Sequence, residues 1–159
     1  MLARHRAIAS EAFRLETITP RAMMESMKVL RVGAAEIAQY RDGISITDPM
    51  LVLLSKVGLL DRSRAPRPQD MAATSQIKDF DQKIATTSAF LWLISEDNAR
   101  ATQINAGRAY ARVQLAATAQ GVVMQPLQQA LQEYPEQRGP YTDIHALLGA
   151  ARPAQTVQM

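Results

Sequence analysis

The chain has 159 residues, 47% hydrophobic and only 5% aromatic, which predicts one domain of ordinary size with an aliphatic, Ala-rich core. Eighteen basic residues against 15 acidic ones leave a net charge of +3, too mild and too scattered a balance to indicate a nucleic-acid partner. The absence of cysteine excludes disulfides, thiolate metal sites and a cysteine nucleophile, and no stretch approaches the ~20 apolar residues of a membrane span.

Met1 to Arg6 is not followed by an apolar run, so the start does not read as a signal peptide. A cytoplasmic location is the default expectation, and a periplasmic one if an upstream segment carries an export signal. His5, close to the terminus, is expected to be disordered. Ile8 to Leu15 reads as a short helix with Ile8, Ala12, Phe13 and Leu15 as core contacts. Thr19-Pro20 is a helix start, with Thr19 as N-cap and Pro20 in the first position. The helix it opens carries Met23, Met24, Met27, Leu30 and Val32 and is expected to end at Gly33. Glu36 to Tyr40 reads as one more short helix, closed by the turn Asp42-Gly43. Thr47-Asp48-Pro49 then starts a helix over Met50 to Val57, stopped by Gly58.

Asp61 to Asp70, with Pro66 and Pro68, reads as a surface loop inside a single domain spanning 1–159. Met71 to Ile84 is helical, with Met71, Ile77, Phe80 and Ile84 at near-helical spacings and Lys78, Asp79, Asp81 and Lys83 on the polar face. Ala89 to Ile94 is a continuous apolar run that predicts a buried strand. Asn98 is the expected cap of the longest helix, Ala99 to Gln120. Ile104, Gly107, Ala111 and Leu115 line one side, and many alanines narrow the rest, which predicts a central position. Gly121 closes that helix. Val122 to Met124 reads as a short strand, Leu127 to Gln132 as a short helix, and Tyr141 to Leu148 as a last helix ended by Gly149. Gln155 to Met159 reads as a strand cut off in its middle.

Side-chain chemistry is sparse. The two histidines, His5 and His145, lie far apart, and no metal-ligand spacing or phosphate-binding glycine loop occurs. His145, beside Ile144, is expected to be solvated or to cap its helix. Asp79 and Asp81 read as a solvated face rather than an acid pair, Arg41-Asp42-Gly43 as a plain turn, and Met23, Met24 and Met27 as adaptable packing. From these patterns alone the chain is a mostly helical domain with at least one buried strand.

The second half carries a resemblance. The expected strand leads into NARATQINAGRAYARVQLAATAQGVVMQPLQQALQEYP, which resembles the core of the nitroreductase-like FMN-binding family, and most of all a divergent bacterial subgroup often described as twin-arginine-exported. AGRAYARVQLAATAQGV is similar to that family's long central helix, and QPLQQALQEYP to the loop after it. In the first half, EAFRLETITPRAMMESMKVLRVGAAEIAQYRDGISI resembles the subgroup's middle region with its Arg-Asp-Gly turn, and the final TVQM the start of a further strand. The resemblance runs from Ile8 to Met159.

What it implies is an α+β fold, mostly helical with a small mixed sheet, usually assembled as a homodimer with FMN at the interface. The implied cofactor-binding residues are Gln125, Pro126, Leu127, Gln128 and Gln129. In the family this loop sets backbone groups and a Pro-hydrophobic pair against the flavin ring, where an N–H near N5 stabilises the reduced form and an apolar wall excludes water. Gln128-Gln129 stands where typical members have an acid followed by glycine, a departure that bears on turnover. The family's phosphate-clamping Arg/Ser segment would precede Met1, and its C-terminal basic residues would follow Met159, so this stretch by itself is expected to bind FMN weakly. The implied activity is NAD(P)H-driven reduction of a nitro or quinone-type small molecule through FMN. The alternatives are a flavin-sequestering protein with little turnover and a non-catalytic relative that acts as a dimerising interaction protein. No catalytic side chain and no metal ligand is assigned.

Overall fold

The computed structural model describes residues 1–150 and 155–158. Its order is α1 (Leu2–Ile18), α2 (Pro20–Lys28), β1 (Leu30–Val32), α3 (Gly33–Tyr40), β2 (Ile44–Ile46), α4 (Pro49–Lys56), α5 (Met71–Thr86), β3 (Leu93–Ser95), α6 (Arg100–Ala119), two 3-10 turns (Gln129–Leu131 and Pro135–Gln137), α7 (Arg138–Leu148) and β4 (Thr156–Gln158). The chain is thus mostly helical with small sheets. The four strands form two separate pairs, β1-β2 parallel and β3-β4 antiparallel. Backbone contacts divide it into two compact units, Met1–Leu15 with Asp79–Met159, and Glu16–Lys78.

In the first unit a core forms from Ile8 and Ala12 of α1, Ala130 of the first 3-10 turn, Ile144 and Leu148 of α7, Ala150, and Val157 of β4, with Trp92, Leu131 and Leu147 packed against it. Alanines at 12 and 130 let the elements approach closely, and Ile144, with no exposed surface, fills the middle. Around it, Phe13 of α1 stacks flat on Phe80 of α5 at 4.0 Å between centroids. The Arg6 guanidinium donates to the Thr87 carbonyl at 2.6 Å and 3.2 Å, pinning α1 to the segment after α5.

Three expectations change here. His5 is not disordered: α1 begins at Leu2, and His5 is 1% exposed, stacked on Phe90 at 3.8 Å. A row of good helix formers between Leu2 and Leu15 carries the helix past the boundary that hydrophobic spacing marked. The apolar run at 89–94 is not a strand buried on both faces. Only Leu93–Ser95 pairs, while Phe90 and Trp92 point inward and Ala89, Leu91 and Ile94 are exposed, because a two-stranded pair has cover on one side only. Val122 to Met124 finds no partner strand and forms a loop.

The long helix also departs from expectation. It starts at Arg100 rather than at a position capped by Asn98; Asp97 Oδ1 instead accepts the Ala99 N–H at 3.0 Å, and Asn98 Oδ1 accepts from Gln103 Nε2 at 2.8 Å. None of its residues is buried, so within this chain α6 is not central. Ala106, Tyr110 and Val113 are half-buried, while Ile104 and Leu115 are exposed.

In the second unit, α2 starts at Thr19-Pro20 as expected, though the Thr19 hydroxyl makes no cap bond. The helix stops at Lys28 instead of running to Gly33. Leu30–Val32 becomes β1, paired in parallel with β2 through Leu30↔Ile44, Arg31↔Ser45 and Val32↔Ile46, and α3 is the connection between them. The helical spacing of Leu30 and Val32 loses to a ladder that the sequence pattern at 44–46 did not announce. Gly33, at φ +80°, opens α3 rather than closing α2. The α4 helix runs Pro49–Lys56, one residue earlier at each end than expected. Asp48 accepts from the Met50 and Leu51 N–H groups at 2.9 and 3.0 Å, and Gly58, at φ +74°, follows its C-cap.

Candidate functional site

The loop that the resemblance singles out begins where α6 ends. Gly121 takes the left-handed conformation at φ +72°, which lets its N–H reach the Thr118 carbonyl at 3.0 Å and the Val122 N–H reach the Ala117 carbonyl at 2.9 Å. The chain then runs without regular structure until Gln129–Leu131, a single 3-10 turn closed by the Leu131 N–H on the Gln128 carbonyl at 3.0 Å. This turn replaces the expected helix over 127–132, because Ala130 is drawn into the core at 2% exposure and the chain turns there.

The five expected residues therefore lie together on one loop whose far end is anchored. Gln125, Pro126 and Gln128 are exposed, and Leu127 and Gln129 are half-buried. Among the described residues no hydrogen bond engages the backbone N–H of Met124, Gln125 or Leu127. The loop thus presents free donors beside an apolar Pro-Leu pair. The Gln129 side-chain oxygen Oε1 is buried without a hydrogen-bond partner, an arrangement that costs stability. No basic side chain occurs between Val122 and Gln132, so nothing within the loop is suited to a phosphate.

Behind the loop, Gln137 is fully buried. Its Nε2 donates to the Ala12 carbonyl at 2.6 Å, which fixes the amide orientation, and its Oε1 has no partner. Sequence reading passed over this residue, since a Gln in a polar run gives no burial signal. His145 is neither solvated nor a cap: it is buried, its Nδ1 donates to the Tyr141 carbonyl at 2.8 Å, and its ring lies 4.1 Å from that of Tyr141. Burial first, and Glu133 second, push the Tyr141 hydroxyl above its ordinary pKa.

Elsewhere the titratable groups serve structure. Asp42 of the Arg41-Asp42-Gly43 turn is held by Arg31 Nε at 3.0 Å, and the Arg31 guanidinium lies over the Tyr40 ring at 4.4 Å. Asp79 pairs with Lys83 at 2.6 Å along α5 and not with Asp81, as a solvated face requires. Among the described residues no group of three or more His, Asp or Glu could hold a metal ion, and no helix is long and apolar enough to cross a membrane.

Compared with protein-family models, with curated proteins and with solved structures, the chain gives no match.

Proposed function

We propose that the 124–129 loop is a flavin contact and that the chain belongs to an FMN-dependent oxidoreductase of the nitroreductase-like kind, working as a homodimer on a nitro or quinone-type acceptor with NAD(P)H as reductant. The observation that carries the reading is the loop itself: unengaged N–H groups at Met124, Gln125 and Leu127 next to Pro126-Leu127, held at one end by the buried Ala130. These groups fit an isoalloxazine ring. The N–H donors suit its electron-rich edge and the Pro-Leu pair suits its face. Bound FMN would supply the hydride-transfer chemistry. The chain's own part is to orient the ring and exclude water from one face.

Gln128-Gln129, in place of an acid and a glycine, favours a second reading in which flavin is held with little turnover. One experiment separates the two. The purified chain is mixed with FMN, freed of unbound ligand, and its visible spectrum recorded before and after NAD(P)H is added. A retained flavin band bleached by NAD(P)H, with recovery on adding a quinone, supports the oxidoreductase. A retained band that NAD(P)H leaves unchanged supports flavin storage. Loss of the band overturns the claim that this chain is a flavoprotein.

A further inference from the structure

We infer that the seam between α1 and the two 3-10 turns is a binding site for one internal water molecule, which donates to Gln137 Oε1 and Gln129 Oε1. The inference goes beyond the flavin reading and does not rest on it. Gln137 has no exposed surface. Its Nε2 directs its two hydrogens at the Ala12 carbonyl, 2.6 Å away, and at the Tyr134 hydroxyl oxygen, 3.3 Å away. Those bonds fix the amide, because exchanging its oxygen and nitrogen would set one oxygen against another at Ala12. Oε1 is therefore the acceptor left over, and it is buried with no hydrogen-bond partner.

A second oxygen in the same state belongs to the neighbouring turn. Gln129 Oε1 is also buried without a partner. Its turn, Gln129–Leu131, packs against Pro135–Gln137, and both pack against α7. Ala12, to which the Gln137 amide is bonded, and Ala130, next to Gln129, share one core cluster. An amide oxygen shut away from solvent without a donor is costly, and folded proteins commonly meet such oxygens with a buried water.

The chemistry of the pair selects the occupant. Both oxygens accept, so the occupant must donate twice, and it must be small enough for a seam flanked by alanines. Water does both. A monovalent cation would also satisfy two oxygens, but its charge needs balancing at that depth, and no carboxylate is buried among the described residues. Seated there, the water completes a chain from the Ala12 carbonyl of α1 through the Gln137 amide to Gln129, the residue at the anchored end of the 125–129 loop. Gln137 is thereby a positioning residue for that end of the loop.

The test uses the full chain. Solvent deuterium relaxation dispersion counts long-lived internal waters, and nuclear Overhauser transfer from water to the side-chain amide protons of Gln137 and Gln129 locates them. Both amides of the native chain should receive transfer from a long-lived water. Gln137→Leu should lose one such water, and hydrogen exchange of the Leu131 N–H should quicken roughly tenfold, as the loss of one anchoring hydrogen bond would give. Circular dichroism checks the fold. Gln129→Leu, at a half-buried position, carries the same test if Gln137→Leu does not fold, and should lose the transfer at Gln137. No long-lived water at Gln137 in the native chain, or an unchanged count in the folded variants, overturns the inference. So does a melting temperature that rises with potassium chloride and not with choline chloride in the native chain but not in Gln129→Leu, which would make a cation the occupant.

Discussion

Arg62 and Glu36, 26 residues apart, meet through two parallel hydrogen bonds: Nη1 donates to Oε2 at 2.9 Å and Nη2 to Oε1 at 2.8 Å. The same Nη1 reaches the Leu30 carbonyl at 3.2 Å, and Glu36 Oε2 also accepts the Val32 N–H at 2.9 Å. One ion pair thus ties β1, the first turn of α3 and the loop after α4 into a single joint. Forked geometry makes such a pair more specific than a single contact.

That joint predicts an acid-sensitive step in stability. Arg62 first, and the Val32 N–H second, hold the Glu36 carboxyl at about 2, below its ordinary 4.5. Since the unfolded chain binds the proton more readily, the pair's contribution is complete above pH 4.5 and is lost as pH falls toward 2. Urea midpoints measured across that window should fall for the native chain and fall less steeply for Glu36→Gln. Parallel curves would remove Glu36 from the account.

Gly43 predicts a contrast between two glycines of equal φ. At +74° a Cβ on Gly43 would sit 2.0 Å from the Val29 carbonyl oxygen, the acceptor of the Ile44 N–H that opens the β1-β2 pairing. Gly58 has the same φ and open space around it. Gly58→Ala should cost about 1–2 kcal/mol, the left-handed penalty alone, and Gly43→Ala clearly more, because backbone must shift as well. Thermal unfolding of the two variants decides, and equal losses would refute the clash.

His5 predicts a second pH effect, in a higher window. Burial against Phe90 and Trp92 lowers its pKa from the ordinary 6.5. The neighbouring charge on its own helix, the Arg6 guanidinium, is turned to the Thr87 carbonyl. The unfolded chain protonates first, so the stability that neutral His5 provides is present above pH 6.5 and declines below it. His5→Phe should keep the stack and flatten the dependence of the unfolding midpoint on pH just below neutrality. An unchanged slope would show that other groups govern it.

The core connects to the candidate loop through Ile144, which has no exposed surface and shares a cluster with Ala130, the residue that anchors 125–129. Ile144→Val should cost about 0.5–1.5 kcal/mol and Ile144→Ala about 2–5 kcal/mol in denaturant unfolding. If the loop holds flavin, retention should survive the first change and drop sharply with the second, even at temperatures where the variant remains folded. Full retention in Ile144→Ala would separate the loop from the core.

Local chemistry made part of this chain legible before any fold was known. Asp48-Pro49 and Gly58 bracket α4, Gly149 closes α7, and Gly121 ends α6, because caps, proline and left-handed glycine act within a turn or two of the backbone. The five residues of the candidate loop were found through resemblance, and they do lie on one loop only because they are contiguous. Other features depend on partners distant along the chain, which a local pattern does not register. Leu30–Val32 fits a helix until Ile44–Ile46 offers a ladder. His5 near a terminus, and Gln137 in a polar run, are buried because Phe90 and the Ala12 carbonyl wait for them. The small side chains of α6 promised a central helix, yet smallness permits close packing without supplying a neighbour, and no residue of α6 is buried. Glu36 and Arg62 are ordinary surface charges in the sequence, and their forked pairing exists only once β1 and the loop after α4 bring them within hydrogen-bond reach.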